Sequence, residues 1–143
     1  MSREDSQFKL RMPPELREKI EESAKLAKRS LNAEIVARLE ESQFRTGKPT
    51  ELPQASKARE MAAVSRRKMA AAIRSEILSA LQYAISQGLS EAPVNLGGFS
   101  LDELNEHEFE DVFLEIYPEL TAAGYGYEWD KRHTLHIDFS SPE

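Results

Sequence analysis

The chain has 143 residues, 40% hydrophobic and 31% charged, with no cysteine; this is a globular composition that excludes disulfides and thiolate metal sites. Its net charge of −6 divides unevenly: residues 1–48 hold 11 Lys/Arg and 9 Asp/Glu, residues 49–88 hold 6 and 3, and residues 89–143 hold 2 and 13, or −11. A C-terminal third so acidic is repelled by phosphate, and must lie away from bound nucleic acid or face a basic partner.

The opening residues MSREDSQFKLRM lack the apolar core of a secretory leader. No apolar run reaches the ~20 residues that span a bilayer, so a cytoplasmic protein without a membrane partner is expected. The segment Gln7-Phe8-Lys9-Leu10-Arg11-Met12-Pro13 alternates polar and apolar residues, the period of a strand with one buried face. Phe8, Leu10 and Met12 would face a core, and Gln7, Lys9 and Arg11 would face outward. A lone strand this short is not stable, and no second strand is expected in about the next hundred residues. Pairing with the same strand of a second subunit is the simplest solution. The resulting antiparallel ribbon would fit the major groove, where Gln can read adenine and Arg or Lys guanine.

Pro13-Pro14 ends this strand and opens a first helix, from about Pro14 to Ala27, burying Leu16, Ile20 and Ala24. A second helix is expected from about Leu31 to Phe44, burying Ile35, Val36 and Leu39, with Ser30 as its N-cap. Glu34 and Arg38, four apart, share a face of it.

Residues 45–56, RTGKPTELPQAS, read as a linker. Residues 57–88 read as one amphipathic helix, with Met61, Val64, Met69, Ile73, Ile77, Leu81 and Ile85 as its apolar stripe and Gly88 as its stop. That stripe must be buried against another chain or against residues 89–143. Arg59, Arg66, Arg67, Lys68 and Arg74 make the helix basic, suiting solvent, a supplementary DNA contact or the acidic third section.

In residues 89–143, a loop is expected over 89–99. Ser100 and Glu103 form a candidate capping box for a helix lined by Leu104, Phe109, Val112, Phe113, Ile116 and Leu120. Pro118 would end, kink or restart that helix, and Gly124 would cap it. A hairpin follows, with Tyr125, Tyr127 and Trp129 on one strand, Leu135, Ile137 and Phe139 on the other, and Asp130, Lys131 and Arg132 at the turn. The fold class expected is mainly α with short β: the N-terminal strand and two helices, a long helix, then a small acidic α+β domain.

Residues 1–44 resemble the Arc/Mnt-like ribbon-helix-helix family of phage repressors. The resemblance is carried by Gln7-Phe8-Lys9-Leu10-Arg11-Met12-Pro13, Glu15-Leu16-Arg17-Glu18-Lys19-Ile20 and Arg29-Ser30-Leu31-Asn32-Ala33-Glu34-Ile35, in that order and spacing. It implies a homodimer on double-stranded DNA, with base contacts from Gln7, Lys9 and Arg11. It also implies a DNA phosphate held at Ser30, Leu31 and Asn32, and a structural ion-paired set of Arg29, Glu34 and Arg38. A solvated strand face, plain helix capping and an exposed ion pair are the plainer readings of these three groups. Members of the family with a helical extension assemble dimers into tetramers, which makes 57–88 a candidate oligomerisation segment. The chain departs from the pattern at Lys28, where the family has glycine, and at Lys9, where it has asparagine, so the family's operators do not transfer.

No catalytic residue, metal site or cofactor is expected. His107 sits in an acidic helix, His133 and His136 fall on opposite faces of the last strand, and Glu106, Glu108, Glu110 and Asp111 read as solvated. The leading expectation is a transcriptional repressor. The alternative is an antitoxin-like autoregulator whose acidic C-terminal part binds a protein partner. A C-terminal effector pocket at Tyr125, Tyr127 and Trp129 is a third reading.

Overall fold

The computed structural model describes residues 5–141. It divides into two compact units, Met1–Met61 and Ala62–Glu143.

In the first unit the strand expected over residues 7–12 is not formed in the single chain: residues 5–13 are neither helix nor strand, and Phe8 and Leu10, expected to face a core, are 85% and 58% exposed. Helix α1 spans Pro14–Leu26, with proline at the position where its missing N–H costs nothing. Helix α2 spans Leu31–Thr46, two residues longer than expected. The corner between them is a Schellman turn: the Lys28 N–H donates to Lys25 O and the Arg29 N–H to Ala24 O, both at 3.0 Å. Lys28 accordingly takes φ 55°, the conformation that favours glycine.

The burial in this unit differs from expectation. Ile20 and Ala24 of α1 are buried, but Leu16 is 47% exposed. Helix α2 buries Glu34, Ala37 and Glu41, while Val36 and Leu39 are exposed and Ile35 is half-buried. Residues 34, 37 and 41 are spaced three and four apart and form one face, so the more apolar residues are left on another.

The second unit contains most of helix α3, Ala55–Ser86, whose first residues belong to the first unit. Gly88, at φ 73°, ends it in another Schellman turn. Strand β1 follows at Glu91–Asn95, where a loop was expected. Pro93 and the nearby glycines signal loop, but proline is tolerated on an edge strand, and β1 is one. Two short 3-10 turns, Gly97–Phe99 and Leu101–Glu103, lead to helices α4, Glu106–Phe113, and α5, Ile116–Ala122. Ser100 does not cap: it sits at φ 52° with no side-chain cap bond. The capping box belongs to Asn105, whose Oδ1 accepts from the Glu108 N–H at 2.8 Å while its own N–H donates to Glu108 Oε1 at 3.0 Å. Of the three outcomes open at Pro118, a restart is the one observed: α4 ends at Phe113 and α5 begins at Ile116. Pro118 is the third residue of α5, inside the first turn, where no N–H is needed.

Strands β2, Gly126–Asp130, and β3, Thr134–Asp138, complete an antiparallel sheet of order β1-β3-β2. The register places Ala92 and Tyr127 beside Ile137, and Val94 and Trp129 beside Leu135. These central and β1 residues are buried in one core with Ile73, Ile77, Leu81 and Ala84 of α3, Phe109, Val112 and Phe113 of α4, and Ile116 and Leu120 of α5. Of the two burials open to the α3 stripe, the third section takes Ile73, Ile77 and Leu81. Ile85 is not part of it and is 58% exposed.

Polar contacts fasten this unit. Arg66 pairs with Asp111 at 3.0 Å and Arg74 with Glu119 at 2.8 Å, joining α3 to α4 and α5. Arg132 lies 4.1 Å over the Phe109 ring, donates to Leu104 O at 2.8 Å and pairs with Glu106 at 2.7 Å. Of the acidic residues read as solvated, Glu106 and Asp111 are exposed and also pair with Arg132 and Arg66. The Trp129 indole N–H donates to the Tyr117 hydroxyl at 2.8 Å, and Tyr117 stacks on Tyr127. Burial pushes the Tyr117 hydroxyl above its ordinary value of 10.0, against the smaller opposing effect of that hydrogen bond. His133 lies in the turn before β3, not on the strand, and His136 is exposed on it.

Candidate nucleic-acid interface

Gln7, Lys9 and Arg11 occupy alternate positions in the segment before α1, and all three are exposed. Pro13 stands at φ −56°, ψ 142°, an extended conformation at the N-cap of α1. The segment therefore enters the helix from extended backbone, as the residue before a proline must.

The start of α2 forms a second locus, where Ser30 and Asn32 are exposed and Leu31 is half-buried. Ser30 holds extended backbone at φ −69°, ψ 157°, and its hydroxyl accepts the Ala33 N–H at 3.1 Å. The Glu34 N–H donates to Ser30 O at 3.0 Å. Leu31 and Asn32 follow as the first two residues of the helix, where backbone N–H groups have no intrahelical acceptor. With the aligned peptide dipoles behind them, such groups favour an anion.

Behind this turn lies an ion-paired cluster. Glu34 is fully buried. Its Oε1 accepts from Arg29 Nε at 3.0 Å and Nη2 at 2.6 Å, and its Oε2 accepts from Arg38 Nε at 2.8 Å. Arg38 Nη2 also donates to the Ser23 hydroxyl of α1 at 3.0 Å. The cluster thus spans the end of α1, the corner and the first two turns of α2. It holds in place the corner that presents Ser30.

The structure brings Arg29, Glu34 and Arg38 together, and places the other six chosen residues in the segment before α1 and at the start of α2. Ser23 escaped sequence reasoning, because its role depends on α1 and α2 lying side by side. The buried Glu41, paired with Arg45 at 3.2 Å, was also passed over, although its spacing of four is legible. A shallow groove lined by Leu39, Gln43, Phe44, Pro53, Lys57 and Met61 contains none of the nine residues. Among the described residues, no three His, Asp or Glu side chains are grouped to hold a metal ion. No helix there is long and apolar enough to cross a membrane.

Residues 2–51 match the family model described as the Arc-like DNA binding domain. The match covers the segment before α1, both helices and the ion-paired corner, and leaves α3 and the C-terminal unit outside it. No curated protein and no solved structure matches the chain.

Proposed function

We propose, on the premise that residues 2–51 are an Arc-like DNA-binding domain, that this protein is a sequence-specific transcriptional repressor acting as a homodimer. Residues 7–12 of two copies pair as an antiparallel ribbon in the major groove, and Gln7, Lys9 and Arg11 from each read base edges. The first turn of α2, at Ser30, Leu31 and Asn32, binds a backbone phosphate and sets the ribbon's register, a contact that positions without specifying. Arg29, Glu34 and Arg38 hold the corner that presents it. Repression follows from occlusion of the DNA that such a dimer covers.

The observation that carries this reading is the apolar surface the single chain leaves in water. Phe8, Leu10, Leu16, Val36 and Leu39 are all exposed in one unit of about sixty residues. So many large apolar side chains in the water of so small a unit point to an interaction surface, and a second copy contributing the same residues would be self-complementary to it. Pairing of this segment with the same segment of a second copy would bury Phe8 and Leu10.

Selection of bound duplexes from a random pool tests the proposal. A palindromic or tandem half-site consensus is expected. Arg11→Ala should relax one position of the consensus and cost about 1–3 kcal/mol there. Ser30→Ala should weaken all sequences alike, and an effect confined to one base pair would contradict its phosphate role.

A second reading is favoured by the outer face of the C-terminal sheet. Glu91, Glu128, Asp130 and Asp138 are exposed on the side opposite the core. In this reading the protein is an antitoxin-like autoregulator, and the face binds a basic protein. Co-purification of a stoichiometric basic partner that charge-neutral variants of this face lose would favour it.

A further inference from the structure

The sheet of the C-terminal unit has two free edges, β1 and β2, and they are not equivalent. The Leu96 N–H donates to His133 O at 2.7 Å and the Phe139 N–H to Ser90 O at 2.9 Å. In an unbroken antiparallel register each residue turns its N–H and C=O to one side, and the side alternates along the strand. Leu135 and Ile137 therefore bond to β1, while Thr134, His136 and Asp138 bond to β2. On β2, Gly126, Glu128 and Asp130 answer them, which leaves the N–H and C=O of Tyr127 and Trp129 pointing out of the sheet. On the β1 edge the central outward position is Pro93, which has no N–H to offer. Strand β2 contains neither proline nor lysine, residues that commonly blunt an exposed edge.

We propose that β2 is a docking edge for an extended segment of a partner protein, which adds as an antiparallel fourth strand and alternates apolar residues with Lys or Arg. Charge selects that chemistry. Glu128 and Asp130 are exposed on the outer face, and against an added strand they fall in non-hydrogen-bonded pairs, where side chains stand closest. Glu91 and Asp138 continue the acidic face across the sheet, and Lys131 lies beyond the strand, in the turn. Toward the helices the added residues meet Tyr127, 38% exposed, and the Tyr117 ring stacked on it with centroids 4.6 Å apart. A second copy fits less well: laid antiparallel along the whole of β2 it sets Glu128 against Glu128, and like charges directly opposite are destabilising. Main-chain bonds to Tyr127 and Trp129 supply affinity, and the alternation of side chains supplies selectivity. Strand addition rests on the second reading above for the sign of the partner's charge.

Trp129 is the protein's one tryptophan, so the fluorescence of the full chain reports on this edge. The probe is a short peptide alternating lysine and valine, with a glutamate–valine peptide as its counterpart. The native chain should bind the lysine peptide about tenfold more tightly than the glutamate peptide, and Glu128→Lys with Asp130→Lys should invert that preference. Tyr127→Pro should bind the lysine peptide roughly tenfold more weakly than Tyr127→Ala, which loses the same ring but keeps the N–H. Amide exchange decides without any variant. In the free chain the Tyr127 and Trp129 amides should exchange faster than that of Glu128, and saturating lysine peptide should slow them by about tenfold or more. Equal binding by the proline and alanine variants, with the preference still inverted by charge reversal, overturns strand addition and leaves a basic partner on the face. Binding of neither peptide, or exchange at Tyr127 and Trp129 unchanged by the peptide, overturns it too. Amides that grow protected with protein concentration alone would give the edge to a second copy, against the proposal.

Discussion

Glu34 shows how burial changes the meaning of an ordinary helix pair. The exposed Arg17–Glu21 pair has the same spacing and a 2.8 Å contact, yet both side chains are largely in water, and such pairs contribute under about 1 kcal/mol. Glu34 is fully buried and satisfied from both sides. Removing one partner leaves a buried carboxylate under-compensated, at a cost of about 3–5 kcal/mol. Arg29→Ala should therefore lower the stability of the first unit by that order in urea unfolding, and Arg17→Ala by little; equal effects would contradict the burial argument. Lys28 makes the opposite prediction. Its left-handed backbone costs about 1 kcal/mol, partly offset in a Lys28→Gly variant by the greater freedom of unfolded glycine. That variant should melt slightly higher than the native chain; a lower melting temperature would mean that the lysine side chain contributes a contact outweighing the strain.

At the scale of elements, α3 is fastened to the rest of its unit by both core and charge. The Arg74 hydrogen bond holds the Glu119 carboxyl below its ordinary value of 4.5. A carboxyl lowered on folding contributes stability above its unfolded value, and loses it as pH falls through the lower folded value. Both side chains are about half exposed, so the contribution is under about 1 kcal/mol. Glu119→Gln should therefore lower the urea midpoint slightly at pH 6, and the difference from the native chain should shrink as pH falls below the ordinary carboxylate range and through the lowered folded value. A gap that widened on acidification would reverse the assigned sign. The same region shows where elements were and were not legible. Ser100-x-x-Glu103 and Asn105-x-x-Glu108 both satisfy the capping-box pattern, and only the left-handed backbone at Ser100 decides between them. Strand β1 carries Pro93 between Ala92 and Val94, so its composition reads as loop, and its pairing with β3 is a tertiary fact.

At the scale of the molecule, charge is segregated, and net charge is a poor guide to partners. Affinity for DNA follows the cations that meet phosphates, so log K should fall with log salt by about 0.9 per phosphate neutralised, despite the overall −6. A binding isotherm insensitive to salt would rule out a phosphate-anchored interface. The acidic C-terminal residues add only a repulsive background, screened beyond about 10 Å at 0.1 M salt.

The caps at Ser30 and Gly88, the Glu34–Arg38 spacing and the hairpin were legible because each is set by neighbours a few residues away, whereas the strand expected from the alternation of residues 7–12 is not formed in the single chain. The face α2 buries, the Ser23 contact, strand β1, the split between α4 and α5 and the side on which α3 spends its stripe were decided by the tertiary structure. Each of these depends on which distant surface arrives opposite, and local periodicity carries no information about that.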